Sequence, residues 1–211
     1  MHRGIFTLAA LTALTTLARA EPGLSRQNLA KNARFTVTYT VSPKGGAPQV
    51  QKFQVMVSGT KGRADYKMDG IGDVRYVANE SGVFLYVPAN KAAQKMAGSV
   101  GMEVALKQAF GDALQQLKGA KKIGSATVSG IPTDVYRQPR TGTTIYLGTK
   151  PGFTLPVKVE MSNEGGKRLV LVTGIQLDTP IPAAQFALPP GTKVIDSKGA
   201  SGVGSGIPGV K

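Results

Sequence analysis

A serine three residues ahead of a lysine, in Ser58-Gly59-Thr60-Lys61, is the first arrangement in this chain that could do chemistry. In the S-x-x-K pattern the serine attacks an acyl group, a lysine can activate it, and the serine opens a helix. Here the four residues fall between two stretches of alternating polarity, so they read as a turn. Asp65, Asp69 and Asp73 recur every four residues, a spacing that invites a cation. They straddle a strand pattern and Gly70-Ile71-Gly72, and they lack the ligand order and terminal glutamate of a calcium loop. Gly202-Val203-Gly204-Ser205-Gly206 has glycine spacing near that of a dinucleotide fingerprint, but it follows no strand and precedes no helix, and reads as linker.

Composition narrows the chemistry further. The chain has no cysteine, which excludes disulfides, thiolate metal sites and cysteine nucleophiles. Its one histidine is His2. The sequence therefore assigns no catalytic residue, no metal ligand and no cofactor. The formal net charge is +14. Such a surface favours anionic partners such as phospholipid head groups, lipopolysaccharide or acidic wall polymers.

The N-terminus reads as a secretory signal over residues 1–20. Arg3 is the positive flank, Ile5 to Leu17 the apolar run, and Ala18-Arg19-Ala20 the small-x-small site, which places cleavage before Glu21. The run is shorter than the ~20 residues a membrane span needs. A periplasmic or extracellular destination follows, and nucleic acid becomes the poorest of the anionic partners. His2 would leave with the signal, and a chain of 191 residues with net charge +12 would remain, long enough for one sizeable domain.

The elements that must position any site are mostly strands. A short helix is expected within 21–33, with Ser25 as its cap. Phe35, Val37, Tyr39 and Val41 then alternate with Arg34, Thr36, Thr38 and Thr40. The same period recurs through Phe53, Val55 and Val57, through Ala64, Tyr66 and Met68, and through Val74, Tyr76 and Ala78. This is the pattern of antiparallel strands with one apolar face. Val83-Phe84-Leu85-Tyr86-Val87 is apolar on both faces and predicts a strand covered on both sides. Asn90 to Ala97 predicts a short basic helix. Ser99 to about Lys118 predicts a second, with Met102, Leu106, Phe110 and Leu117 on one face and Gly111 weakening it by roughly 1 kcal/mol.

Strands are expected again at 122–129, 132–138, 143–148 and from Leu155 onward, with Asn163-Glu164-Gly165-Gly166 as a hairpin turn. Ala183 to Phe186 suits one helical turn. Residues 198–211 read as a flexible Gly/Ser-rich tail, which leaves 21–197 for the folded domain.

Three segments resemble the outer-membrane lipoprotein carrier superfamily (LolA-like and LolB-like). Tyr76 to Ala89 is similar to its D-G-x-x-x-W-x-Y-x-P strand pair. Gly130-Ile131-Pro132-Thr133-Asp134-Val135-Tyr136 is similar to a strand of its looser members. Ile181-Pro182-Ala183-Ala184-Gln185-Phe186 through Val194 is similar to its closing signature. The resemblance implies a mainly β (α+β) fold: a curved antiparallel half-barrel with helices packed over the concave face. It also implies that Phe186 plugs the barrel. The carrier's tryptophan positions hold Tyr66 and Phe84, and its Arg-Pro pair is replaced by Ser58-Gly59-Thr60-Lys61. The fold thus carries over better than the lipoprotein-sorting role.

On that fold, Tyr39, Phe53, Val55, Tyr66, Met68, Tyr76 and Phe84 are expected to line the inner face, with Met102, Leu106 and Phe110 opposite them. Together they form either plain core or an apolar cavity selective for acyl chains. Lys91, Lys95, Lys107, Lys118, Lys121 and Lys122 surround the helical segment as a solvated basic face or a footing on an anionic surface. Three functions stay open. A monomeric periplasmic carrier or sensor for a lipid or lipidated polypeptide comes first. A non-enzymatic envelope protein that binds a protein, anionic glycan or lipid through its basic surface is second. An exported hydrolase is last, because no acid–base constellation is visible.

Overall fold

The computed structural model describes residues 29–96 and 102–196. The expected signal segment, the expected helix up to residue 28 and the Gly/Ser-rich tail lie outside the described residues. Twelve strands form one open, curved sheet. They are β1 (Asn32–Pro43), β2 (Gln49–Ser58), β3 (Lys61–Met68), β4 (Gly72–Asn79), β5 (Gly82–Val87) and β6 (Ala92–Met96), then β7 (Lys121–Val128), β8 (Ile131–Arg137), β9 (Thr144–Gly148), β10 (Pro156–Asn163), β11 (Gly166–Leu177) and β12 (Lys193–Asp196). The spatial order is β12-β6-β5-β4-β3-β2-β1-β11-β10-β9-β8-β7. Every pairing is antiparallel except β12 with β6. The sheet is thus two meanders joined where β1 meets β11. One helix, α1 (Met102–Phe110), followed by a 3-10 segment (Gly111–Leu117), links the meanders and packs on β2, β3 and β4.

The alternation in the sequence becomes the two faces of this sheet. Phe35, Val37, Val55, Ala64 and Tyr76 turn toward α1 and are buried in one cluster with Leu106, Ala109 and Phe110. Ala33 pairs with Val57 and Phe35 with Val55, so matching apolar rows stack across strands. The turn read at Asn163 to Gly166 is a hairpin with Asn163 opposite Gly166. Gly166 has φ of +138°, and a Cβ there would lie 2.2 Å from the Ser42 carbonyl oxygen, so the close approach of this turn to β1 requires glycine.

Two expectations change, and a third falls mostly outside the described residues. Asn90 to Ala97 is not a helix: Pro88–Asn90 make a 3-10 turn, and Ala92–Met96 extend as β6 along β5. The helix formers Ala92, Ala93, Gln94, Lys95 and Met96 yield to the ladders with β5 on one side and β12 on the other. The second helix is α-helical only to Phe110 and tightens into a 3-10 segment at Gly111. The helix expected within 21–33 does not extend into the described part. There Leu29 makes an isolated bridge to Phe153 and Asn32 already opens β1.

The C-terminal stretch crosses the outer face of β3 and β4. Its 3-10 turn Ala183–Phe186 packs there, with Phe186 1% exposed. Arg63 Nη1 donates to the Gln185 carbonyl at 3.0 Å and to Gln185 Oε1 at 2.9 Å, and Asn79 Nδ2 donates to the Phe186 carbonyl at 2.7 Å. Arg63 and Asn79 lie on the face opposite Ala64 and Tyr76. Phe186 therefore covers the sheet from outside, where the carrier resemblance implied a plug within the barrel. Asp65 holds Arg63 at 2.6 Å and Arg75 at 2.9 Å, which offsets half of the positive charge under this crossing. The chain then pairs β12 with β6.

Candidate functional site

The residues expected to line the inner face largely meet. Phe53 and Tyr66 are cross-strand partners with ring centroids 5.0 Å apart, and Tyr39 meets Phe53 edge-on at 6.0 Å. Val55 and Tyr76 are buried beside them, and Leu106 and Phe110 close over them from α1. Phe110 lies 6.1 Å from Phe35, which in turn meets Phe153 at 5.4 Å. Met68 is half-buried at the margin of the same cluster. Met102 opens α1, and its side chain lies outside the described set. Burial pushes the Tyr76 hydroxyl up to about 12, since the phenolate would lose its water.

Phe84 does not join them. It packs with Tyr86 and Ala93 on the outer face, where Leu188 of the C-terminal stretch covers them. Val83 and Leu85 are the β5 residues that reach the inner cluster. The β4–β5 hairpin sets this parity: Asn79 pairs with Gly82, so Phe84 falls opposite Val77 and Leu85 opposite Tyr76.

Two polar contacts fix the helical cover, and sequence reasoning missed both. The Tyr39 hydroxyl donates to the Phe110 carbonyl at the last turn of α1. Gln138, buried just past β8, donates through Nε2 to the carbonyls of Gln116 and Lys118. Helix ends leave carbonyls without partners, and these donors satisfy them. Tyr39 was legible as an apolar lining residue but not as a donor. Nothing in the local pattern around Gln138 signals its role.

The inner cluster is not sealed. Tyr39, Met68, Leu85, Met96 and Met161 pack against it while remaining partly exposed. Three of the chain's six methionines therefore stand at its rim.

The lysines are distributed differently. Lys91 and Lys95 stand beside the β6–β12 end of the sheet, and Lys121 and Lys122 lie on β7 at the other end. Lys107 is on α1 and Lys118 follows the 3-10 segment. Lys122 pairs with Asp134 at 2.8 Å, which lowers the carboxyl and raises the amine from their ordinary ranges through their hydrogen bond. The serine–lysine arrangement also resolves. Ser58 Oγ donates to Asn32 Oδ1 at 2.8 Å while Lys61 pairs with Glu80 at 3.0 Å. Asp65 serves the two arginines. Among the described residues no group of three or more His, Asp or Glu side chains could hold a metal ion, and no helix is long and apolar enough to cross a membrane.

Several solved structures are similar to this chain. An uncharacterised conserved protein from Thermus thermophilus matches with a TM-score of 0.51 at 14% identity, over 80% of this chain and 92% of that one. MucB matches with a TM-score of 0.46 at 16% identity, over 80% of this chain and 61% of its own, so this chain spans about three-fifths of MucB. The LolA superfamily protein NE2245 from Nitrosomonas europaea matches with a TM-score of 0.41 at 9% identity, over 77% and 91%. No protein-family model matches the sequence, and no curated protein matches it significantly. The likeness to the Thermus thermophilus protein is one of fold alone.

Proposed function

We propose that this protein is a non-enzymatic carrier of the cell envelope, exported behind residues 1–20, that holds the acyl chain of a lipid or lipidated polypeptide between the inner sheet face and α1. The observation that carries this reading is the methionine-bearing rim of the inner cluster. Met68, Met96 and Met161 are partly exposed beside buried aromatic rings. Methionine is unbranched and polarizable, and adapts to irregular apolar guests. Each acyl methylene that moves from water into such a site gains ~0.8 kcal/mol, so an alkyl chain can be held without a polar anchor.

The test is uptake of a fluorescent fatty acid, together with mass spectrometry of lipid that accompanies protein purified without detergent. Wild-type protein should take up the probe and carry lipid. Met68→Glu and Met161→Glu place charge at half-open positions, where the fold tolerates it, and should abolish uptake. Phe110→Asp should abolish it too, and Leu106→Ala should weaken it less. Lys158, paired with Glu160 at 2.7 Å on the outer face, is the control. Lys158→Glu should retain uptake and weaken salt-sensitive attachment to anionic vesicles. Folded wild-type protein with neither probe nor lipid would make the inner face ordinary core and put the envelope-interaction reading first.

A further inference from the structure

The inner face of the sheet is apolar along most of its length, so its ionised groups stand out. On β10 and β11, buried Val159 pairs with buried Val170, and the next pair on the same face is Met161 with Arg168. Side chains two apart on a strand point to one face, so Arg168 projects inward, one step beyond the core. Its partner on the other side is Val41 of β1. Directly opposite Cβ atoms lie about 5 Å apart. Met161 and Val41 are both half-buried, and Arg168 is exposed. Gln49 faces Val41 from β2, while Tyr39 and Val170 form the pair just before. Just past Tyr39, therefore, the inner face changes from aromatic and aliphatic side chains to a layer of Gln49, Val41, Arg168 and Met161. That is the boundary an amphiphile needs between its chain and its head.

Arg168 is also unmatched. Lys122 stands opposite Tyr136 at the margin of the inner cluster, and Asp134 lies two residues before Tyr136 on the same face. These two satisfy each other at 2.8 Å. Arg168 has no carboxylate partner among the described residues. Glu160, the nearest acidic residue on its partner strand, is held by Lys158 on the outer face. Further cations gather at this end. Lys167 points to the outer side opposite Ser42, and the Lys44 N–H donates to the Gly165 carbonyl at 3.0 Å. A guanidinium offers five donors in a planar fork, a geometry that matches carboxylate and phosphate oxygens.

Resting on the acyl site proposed above, we infer that Arg168 anchors the head of the guest, and that the guest is an anionic amphiphile. Its carboxylate or phosphate sits against Arg168, and its chain runs past Met161 and Val41 to the margin of the inner cluster at Tyr39. The apolar face supplies the hold, and Arg168 supplies the choice of head.

The experiment uses the full chain and two fluorescent probes of one chain length with the dye at the tail, a fatty acid and the corresponding primary alcohol. It is run at about pH 8, where the carboxylate is ionised. The readout is the ratio of the two affinities. Arg168→Gln should lower that ratio about five-fold, the scale of one charge-assisted contact near the surface, and leave the affinity for the alcohol unchanged. Because Arg168 is exposed, the variant should fold, and uptake of the alcohol certifies that it has. Arg168→Lys should keep part of the ratio, and added salt should lower it in the wild type. Lys167→Gln removes a neighbouring cation from the opposite face and should leave the ratio as it was. Inorganic phosphate, matched in concentration to the fatty acid, should displace neither probe. A ratio that does not fall in Arg168→Gln, or falls as far in Lys167→Gln, overturns the anchor and leaves the acyl site standing. Displacement of the fatty acid by inorganic phosphate overturns it too, since Arg168 would then serve a free anion. Wild-type protein that takes up neither probe overturns the acyl site and the anchor together.

Discussion

Strands β3 to β5 and strand β7 belong to one sheet, yet they are built to opposite specifications. β5 and the adjoining parts of β3 and β4 are buried on both faces, by the inner cluster under α1 and by the C-terminal crossing that carries Phe186 and Leu188. The residues match that double cover: in β5 only Leu85 is less than fully buried. In β7 every residue but Val128 is exposed, and among the described residues the strand is held by one neighbour. Burial of its two lysines would cost more than any packing there returns. The difference shows that one ladder can serve as scaffold at one end and remain free for contact at the other, with side-chain composition deciding which.

Substitutions can break or sharpen this contrast. The largest effect is expected from Phe110→Ala, which empties the centre of the covered half and should cost ~3–5 kcal/mol in urea unfolding. Phe84→Ala removes a ring from the smaller outer cluster and should cost about 3 kcal/mol. Fatty-acid uptake should survive it, and loss of uptake in a folded variant would contradict the outer placement of Phe84. Next comes pH. The Tyr76 hydroxyl, held at about 12 in the folded protein, ionises near 10 when unfolded. Between those values the unfolded chain has lost the proton and the folded chain has kept it, so stability falls as pH rises. The loss should reach roughly 2–3 kcal/mol by pH 12, followed by denaturant midpoints, with one tyrosinate absorbing late in an ultraviolet titration. Smallest is Ile123→Ser on β7, which should change stability by no more than ~0.5 kcal/mol. A larger loss would mean that this edge is packed after all.

The alternating strands were legible because one face is buried and the period of two is plain, as in Phe35, Val37 and Tyr39. The two-sided cover of β5 was legible for the opposite reason, because the alternation gives way there to a run that is apolar on both faces. The face of Phe84 was not, since both faces of β5 are apolar and hydrophobicity carries no parity there. The signal that could have settled it is the two-residue turn Glu80-Ser81, which fixes Phe84 opposite Val77. β6 was hidden by helix-forming residues that a neighbouring strand overrode. β12 was hidden with it, as a short strand whose only partner among the described residues is β6. Of the site, the aromatic lining could be read from pattern. Gln138, through the Gln116 and Lys118 carbonyls, and Arg63, through Gln185, act on segments far away in the chain, which no local pattern encodes.

The seam between β1 and β11 has a kinetic consequence. Strands β2 to β6 and β7 to β10 each meander between near neighbours, and such local pairings form early. The two halves become one sheet only when Ala33 finds Leu177 and Tyr39 finds Val170. Closing so long a loop is entropically slow, and it cannot begin until nearly the whole chain has been synthesised. The slow step in reaching the native state is therefore expected to be the meeting of the first strand with the eleventh. A chain that arrives N-terminus first stays open along its centre until its final third arrives.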